Sequence, residues 1–300
     1  MNIFVTGGTG FIGSYVVNDL LKLGHRVNIL ARNPRKVSGF LGSEAISFTE
    51  GTLTDREAIR RGLEGCDAVI HIALGWGDTA VDMMGADTLP SLYIFETAAS
   101  LGIRNMIYTS SIAAYGEARD VFDEHTSTRP TDFYGATKAA TENFFLAMAQ
   151  VYGIRCNVIR PGYTFGNPVV DGASIYTDMK IRNFVRAAKA GEPIHLIRDD
   201  GTQFIWAGDL AKIYTAVLGS DHNRQLFTGV STEFTTWADV ARIAVDYVGS
   251  SSEIVLEDKG RDPRKGRNDV SQIEKEFGFK FVTGERMREH VAYLADVVEA

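Results

Sequence analysis

The stretch Val5-Thr6-Gly7-Gly8-Thr9-Gly10-Phe11-Ile12-Gly13 constrains this chain most, because it stands where a buried strand would hand over to a helix. Asn2 to Thr6 is β-rich, and Phe11 to Leu23 is apolar at helical spacing through Ile12, Val16, Leu20 and Leu23. Gly24-His25-Arg26 then breaks into a second strand, Val27 to Leu30. The glycines of Gly7-x-x-Gly10-x-x-Gly13 have separable tasks: the first permits a tight turn, the second lets the backbone approach a pyrophosphate, and the third lets helix and strand pack closely. Unpaired N–H groups of the first helical turn would face that anion, with Thr9, Phe11 and Ile12 among the contacting positions. In a chain with Gly 30 the bare pattern could be a structural turn, and its strand-to-helix context is what makes it a dinucleotide site.

The end of the second strand selects the dinucleotide. Ala31-Arg32-Asn33-Pro34-Arg35-Lys36 has no carboxylate to bind a ribose 2′-hydroxyl, whereas Arg32 offers a planar cation to a 2′-phosphate and Arg35 and Lys36 add positive field. NADP is therefore expected over NAD; the alternative is that Arg32 stacks on adenine, which suits either.

Further along, Ile46 to Thr49 reads as a third strand, Thr54 or Asp55 as the cap of a helix to about Leu63, and Asp67 to Ala73 as a fourth strand buried on both faces. His71 lies within that strand rather than past its end and reads as a hydrogen-bonded core histidine. Asp87 to Leu101 is a helix, Asn105 to Ser110 a fifth strand, Glu117 to Pro130 a surface loop, Phe133 to about Val151 a long helix and Ile154 to Ile159 a sixth strand. Strands alternating with helices at this rhythm specify an α/β fold with a doubly wound parallel sheet. With 300 residues and 45% hydrophobic content, the chain can bury a large core.

Ligands in such sheets bind beyond the carboxyl ends of the strands, which puts Ser111 in place for chemistry. Tyr134 and Lys138 lie one helical turn apart on one face of the next helix. Tyr-x-x-x-Lys alone is uninformative, since Tyr176 and Lys180 repeat it beyond the sixth strand. A free phenol has pKa ~10, so service as a base near neutrality needs a lowering of ~3 units, about 4 kcal/mol. A nearby ammonium and an oxidised nicotinamide supply that order of energy. Ser111 would hold the substrate oxygen, Tyr134 would move its proton and Lys138 would tune Tyr134.

These residues together resemble an extended short-chain dehydrogenase/reductase of the NAD-dependent epimerase/dehydratase group. The resemblance rests on Thr6 to Gly13, Asp67 to Ala73, Ser110-Ser111 with Tyr115-Gly116, Tyr134 with Lys138, Arg160-Pro161-Gly162 with Phe165-Gly166, and Asp209-Leu210-Ala211. It implies a Rossmann domain over 1–166 with 204–230 returning to it, and a smaller C-terminal substrate lobe from 167–203 and 231–300. It also implies cofactor contacts at Thr52, Leu53, Ala73 and Pro161, besides Tyr134 and Lys138, and a homodimer sealed by a four-helix bundle.

Departures narrow the chemistry. Thr52 stands where the group often has Asp, and Asp87 where it has Asn. Thr202-Gln203 offers no arginine for a substrate diphosphate, and Ile112-Ala113 offers no acid or base for dehydration. The expected activity is therefore NAD(P)-dependent hydride transfer at a carbinol or carbonyl carbon of a small polar substrate, a sugar derivative or an aldehyde or ketone. The alternatives are a nucleotide-sugar 4-epimerase holding NAD and a non-catalytic NADP-binding redox sensor, for which Ser111, Tyr134 and Lys138 would be superfluous.

Net charge of -7 and pI ≈ 5.4 argue against nucleic acid or anionic membrane as general partners. The cluster Lys259, Arg261, Arg264, Lys265 and Arg267 could meet a substrate phosphate or be a solvated loop. Cys66 and Cys156 form neither a disulfide framework nor a zinc-like spacing, so no metal is expected. With the first strand beginning at residue 2 and no apolar run of the ~18 residues a membrane span needs, a cytoplasmic protein is expected.

Overall fold

In the computed structural model, which describes residues 1–117, 120–173 and 179–299, the alternating apolar segments close into a seven-stranded sheet. Its order across the sheet is Leu226–Gly229, Arg155–Pro161, Asn105–Thr109, Ala68–His71, Asn2–Thr6, Arg26–Ala31, Ile46–Glu50, and every neighbouring pair is parallel. Its central strands are buried along most of their length because both faces are covered. On one face Ile3, Val5 and Ile70 pack with Val16 and Leu20 of the helix Phe11–Lys22 and with Leu210 and Ile213 of the helix Ala207–Gly219. On the other, Phe4 and Val69 meet Ile59, Ile94, Phe95 and Phe145 from three further helices.

The chain runs outward from Asn2–Thr6 through two strands, then returns to fill the opposite side starting at Ala68–His71. That reversal opens a crevice beyond the carboxyl ends of these adjacent strands, where ligands of doubly wound sheets sit.

A separate cluster contains Phe184, Val185, Trp237, Val240, Met287, Val291 and Leu294, carried by the helices Met179–Ala190, Trp237–Val248 and Gly284–Val297. Phe204 and Phe165, from the paired strands Phe204–Trp206 and Tyr163–Phe165, join this cluster to the end of the main sheet. Of the segment 204–230, only Leu226–Gly229 is itself a strand of that sheet.

Local readings are corrected in two places. The helix placed over 87–101 begins earlier, as Ala80–Met83, continues through a π-helical stretch, Met84–Thr88, and runs on as Leu89–Ser100. Its start is fixed by Thr79, whose hydroxyl accepts from Asp82 N at 3.2 Å, a cap obscured in sequence by Gly85 and the small residues around it. The segment read as a surface loop, 117–130, contains the strand Val121–Phe122, which pairs with Arg267–Asn268 while Phe122 stacks on Tyr115 at 4.7 Å. The second Tyr-x-x-x-Lys copy at Tyr176 lies outside the described residues. Among the described residues no helix is long and apolar enough to cross a membrane.

Candidate active site

Gly7 leaves the first strand with φ +73, and a Cβ there would lie 2.7 Å from Ala73 N, so only glycine lets the turn pass this close to the end of the adjacent strand. A Cβ on Gly13 would come within 2.0 Å of the Gly7 carbonyl oxygen, which explains the close start of the helix. Gly10 is different: its Cβ would meet only the Gly7 oxygen at 3.1 Å, leaving open space on its outer side. No side chain caps the helix Phe11–Lys22 and no acidic residue lies in its first turn. An uncapped N-terminus behind a cradle that a Cβ would narrow fits a dinucleotide pyrophosphate.

Around this cradle Phe11 is nearly buried, Thr9 and Ile12 are half-buried, and Ala73 N donates to Thr6 Oγ1 at 3.3 Å. Arg32 and Arg35 are exposed at the end of Arg26–Ala31, where Asn33 caps a short turn by accepting from Arg35 N. Glu50 pairs in register with Ala31, a carboxylate on the neighbouring strand that reading the second strand alone had not weighed. Thr52 is tied to Thr54 by a 3.0 Å hydroxyl pair, Leu53 packs against the second core cluster, and Pro161 is buried at the end of its strand.

The turn that follows Ser111 and the start of the helix that carries Tyr134 meet at Gly135, a glycine that belongs to no sequence motif. Ser111 caps the turn Ile112–Ala114, its hydroxyl accepting from Ala113 N at 3.1 Å. The next helix, Phe133–Tyr152, is capped by Asp132, which accepts from Gly135 N at 2.6 Å. A Cβ on Gly135 would be 2.4 Å from the Ala113 carbonyl oxygen, so glycine is what lets the start of this helix lie against the Ser111 turn. Tyr134 also borders a cavity of about 340 Å³ with Trp76, Asp78, Met83, Asp132 and Phe133, and its ring centre is 6.3 Å from that of Trp76.

Lys138 lies one turn below, only 2% exposed, with Nζ 5.7 Å from the Tyr134 ring centre and 5.3 Å from that of Tyr108. Its ammonium faces Asp87 Oδ2 at 3.3 Å, and Asp87 is fully buried in the π-helical stretch. Burial pushes the Lys138 amine below its ordinary value, with Asp87 and then Glu142 acting the other way. This cation thus has a buried counter-ion beside it, a neighbour that the spacing of Tyr134 and Lys138 does not reveal. The sequence shows the acid, but the π-helical turn that aims it inward has no readable periodicity.

His71 is buried as expected, and its partners fix its tautomer. Ser91 Oγ spends its proton on the Asp87 carbonyl at 2.6 Å, so His71 Nε2–H donates to Ser91 Oγ at 2.7 Å and Nδ1 accepts from Thr6 Oγ1 at 2.5 Å. Burial, with Lys138 adding to it, pushes the imidazole down to about 3. A hydrogen-bonded line thus joins the glycine loop at Thr6 to the segment that holds Lys138. Further down the same helix, Glu142 accepts a bidentate pair from Arg160 at 2.8 and 2.6 Å, both side chains buried.

Gln203, in the Thr202-Gln203 pair that offers no arginine for a diphosphate, is buried and occupied internally. It donates to Ser231 O and Asn268 O and accepts from Asn268 N. In the basic cluster, Arg264 is paired with Asp262, Lys259 with Glu257, and Arg267 donates to Pro263 O.

With this geometry in view, residues 3–227 match the family described as the NAD dependent epimerase/dehydratase family. An uncharacterized UDP-glucose epimerase, YtcB, of Bacillus subtilis is 26% identical over 240 residues, covering 74% of each chain. A 4-hydroxy-2-methyl-3-oxo-4-farnesyl-3,4-dihydroquinoline-1-oxide ketoreductase of Stigmatella aurantiaca is 31% identical over 175 residues, 55% of this chain and 51% of that protein. Among solved structures, the UDP-glucose 4-epimerase of Thermotoga maritima with UDP-glucose superposes over 100% of both chains with TM-score 0.81 and 24% identity.

Proposed function

The chain belongs to the NAD dependent epimerase/dehydratase family, and from that premise we propose that it is an NADP-dependent carbonyl reductase or carbinol dehydrogenase whose substrate has an apolar body. One observation carries the reading: Tyr134, with Lys138 beneath it and the start of its helix packed through Gly135 on the turn that follows Ser111, borders a cavity large enough for a small organic molecule. When bound, the nicotinamide supplies the hydride. Ser111 orients the substrate oxygen, Tyr134 moves a proton to or from it, and Lys138 sets the field at the phenol.

The cavity wall supports the substrate reading. Trp76 and Phe133 present apolar surface at its mouth, and the charged residues lining it are the carboxylates Asp78 and Asp132. An anionic diphosphate finds no cation in that lining, whereas a neutral ketone or aldehyde with a ring or alkyl body does find apolar contact. The ketoreductase relative, whose named substrate carries a farnesyl chain, favours the same class. Arg32 and Arg35 at the ribose end support NADP.

Outward apolar positions on two neighbouring helices support a homodimer: Leu89 is 56% and Phe144 57% exposed. Phe95 and Phe145 on the same two helices belong to the core.

A second reading, nucleotide-sugar 4-epimerisation, is favoured by the UDP-glucose 4-epimerase likeness. Release and identification of nucleotide from purified protein separates the two. The reductase reading predicts an empty site that titrates with NADPH more tightly than NADH, a preference lost in Arg32→Ala. Stoichiometric tightly held NAD, or equal weakening of both cofactors by Arg32→Ala, would favour the epimerase.

A further inference from the structure

The cavity beside Tyr134 has more in its wall than an apolar substrate body uses. The aromatic residues Trp76, Phe133 and Tyr134 border it together with the carboxylates Asp78 and Asp132, and among the described residues no basic side chain lines it. Asp132 gives one oxygen to Gly135 N, whereas the exposed Asp78 side chain forms no hydrogen bond or ion pair with another described residue. Lys138 is outside this lining, 2% exposed and paired with Asp87.

The backbone that presents Trp76 is fixed on both sides of it. A Cβ on Gly75 would lie 1.8 Å from the Ala86 carbonyl oxygen and one on Gly77 2.5 Å from the Asp82 carbonyl carbon, so this segment lies against the helical run that follows only because both are glycine. Gly75 N donates to Asp87 Oδ1 at 3.2 Å and Gly77 N to Met83 Sδ at 3.1 Å. An indole 67% exposed is thus held on a pinned segment instead of being folded into the core, the arrangement expected of a ligand contact. Its ring centre lies 6.3 Å from that of Tyr134 with the planes 32° apart, so one cation can stand within ~6 Å of both centres, the range over which a ring attracts positive charge.

We propose that this wall is a cation subsite, and that the molecule on which Tyr134 acts carries a substituted ammonium group on its apolar body: an amino ketone or amino aldehyde, or the corresponding amino alcohol. This rests on the reading of Tyr134 as the residue that moves the proton at the carbonyl oxygen, and narrows the substrate of that site. Aromatic faces and carboxylates act together on such a group. Alkyl substituents on the nitrogen spread its charge over a surface that the rings pack against, while Asp78 and Asp132 add a Coulomb attraction that a neutral body of the same shape does not feel. An anion is repelled by the same wall, and an uncharged body would strip water from Asp78 without pairing it.

The test is calorimetric titration of the protein, without cofactor so that no turnover occurs, with meta and para (acetylphenyl)trimethylammonium and with the matching tert-butylacetophenones, which have the same shape with carbon in place of the charged nitrogen. At least one ammonium ketone is expected to bind ~tenfold or more tightly than its neutral isostere. That ratio is expected to fall in Trp76→Leu, which keeps an apolar side chain without the ring, and in Asp78→Asn, which keeps the size without the charge; both side chains are exposed, so neither change threatens folding. A smaller ratio in the parent protein, no saturable binding of either ammonium isomer at millimolar concentration, or a ratio that both substitutions leave unchanged would overturn the proposal. Failure of the reductase reading would show separately, as an ammonium ketone that binds with this preference and is not reduced by NADPH.

Discussion

His71 shows how one residue can couple the nucleotide loop to acid stability. It sits between Thr6 and Ser91 as a neutral ring, its pKa lowered from 6.5 to about 3 by burial. In the unfolded chain the same imidazole takes a proton near 6.5, so between those values the unfolded state binds more protons and stability falls as pH falls. The contribution is fully present above pH 6.5 and lost progressively toward pH 3. His290, pushed down to about 4, acts in the same direction. Urea unfolding midpoints should therefore drop between pH 6.5 and 4, and His71→Asn should show a shallower drop than the parent protein; parallel profiles would mean the ring is not neutral when folded. At this scale the sequence was legible where residue type and strand position decided the matter, as for the buried, hydrogen-bonded His71. It was not legible at Asp87, because whether a carboxylate faces Lys138 depends on a helical register that no spacing rule encodes.

Between the Ser111 turn and the helix Phe133–Tyr152, the decisive contact is backbone to backbone. Gly135→Ala would bring a methyl to 2.4 Å from the Ala113 carbonyl, a rigid neighbour that cannot swing aside. The helix start must move outward, costing about 1–3 kcal/mol as other overpacking changes do. Because Tyr134 precedes it, turnover should fall at least tenfold with little change in NADPH affinity. Wild-type thermal stability and turnover in Gly135→Ala would show that the two elements are not held by this approach. Sequence periodicity found this helix because apolar spacing is local, whereas its Asp132 cap emerged only in the structure. The earlier start at Ala80 and the strand Val121–Phe122 escaped it, since the first runs through a π-helical stretch and the second exists only through its partner Arg267–Asn268. The glycine loop was the most legible element, because φ +73 at Gly7 and the 2.0 Å approach at Gly13 are geometries only glycine accepts.

At the scale of the molecule, alternating strands and helices foretold the doubly wound sheet, and the sheet's reversal beside Asn2–Thr6 locates the crevice that the glycine loop borders. Which helix faces remain bare was less legible, since apolar residues aimed at the core and at a partner look alike in sequence. Phe145 is fully buried and its neighbour Phe144 is not. If a second copy covers Leu89 and Phe144, Phe144→Asp should convert a dimer to a monomer in sedimentation at micromolar concentration while the far-ultraviolet spectrum is unchanged. A parent protein that sediments as a monomer would refute that interface.

The most direct measurement of the central claim follows hydride and proton at one carbon–oxygen bond. Incubated with NADPH deuterated at nicotinamide C4 and a panel of aryl ketones and aldehydes, the protein should yield a carbinol carrying one deuterium on the former carbonyl carbon, at a rate reduced ~10²–10⁴-fold in Tyr134→Phe. A product without deuterium, or undiminished turnover by Tyr134→Phe, would contradict it.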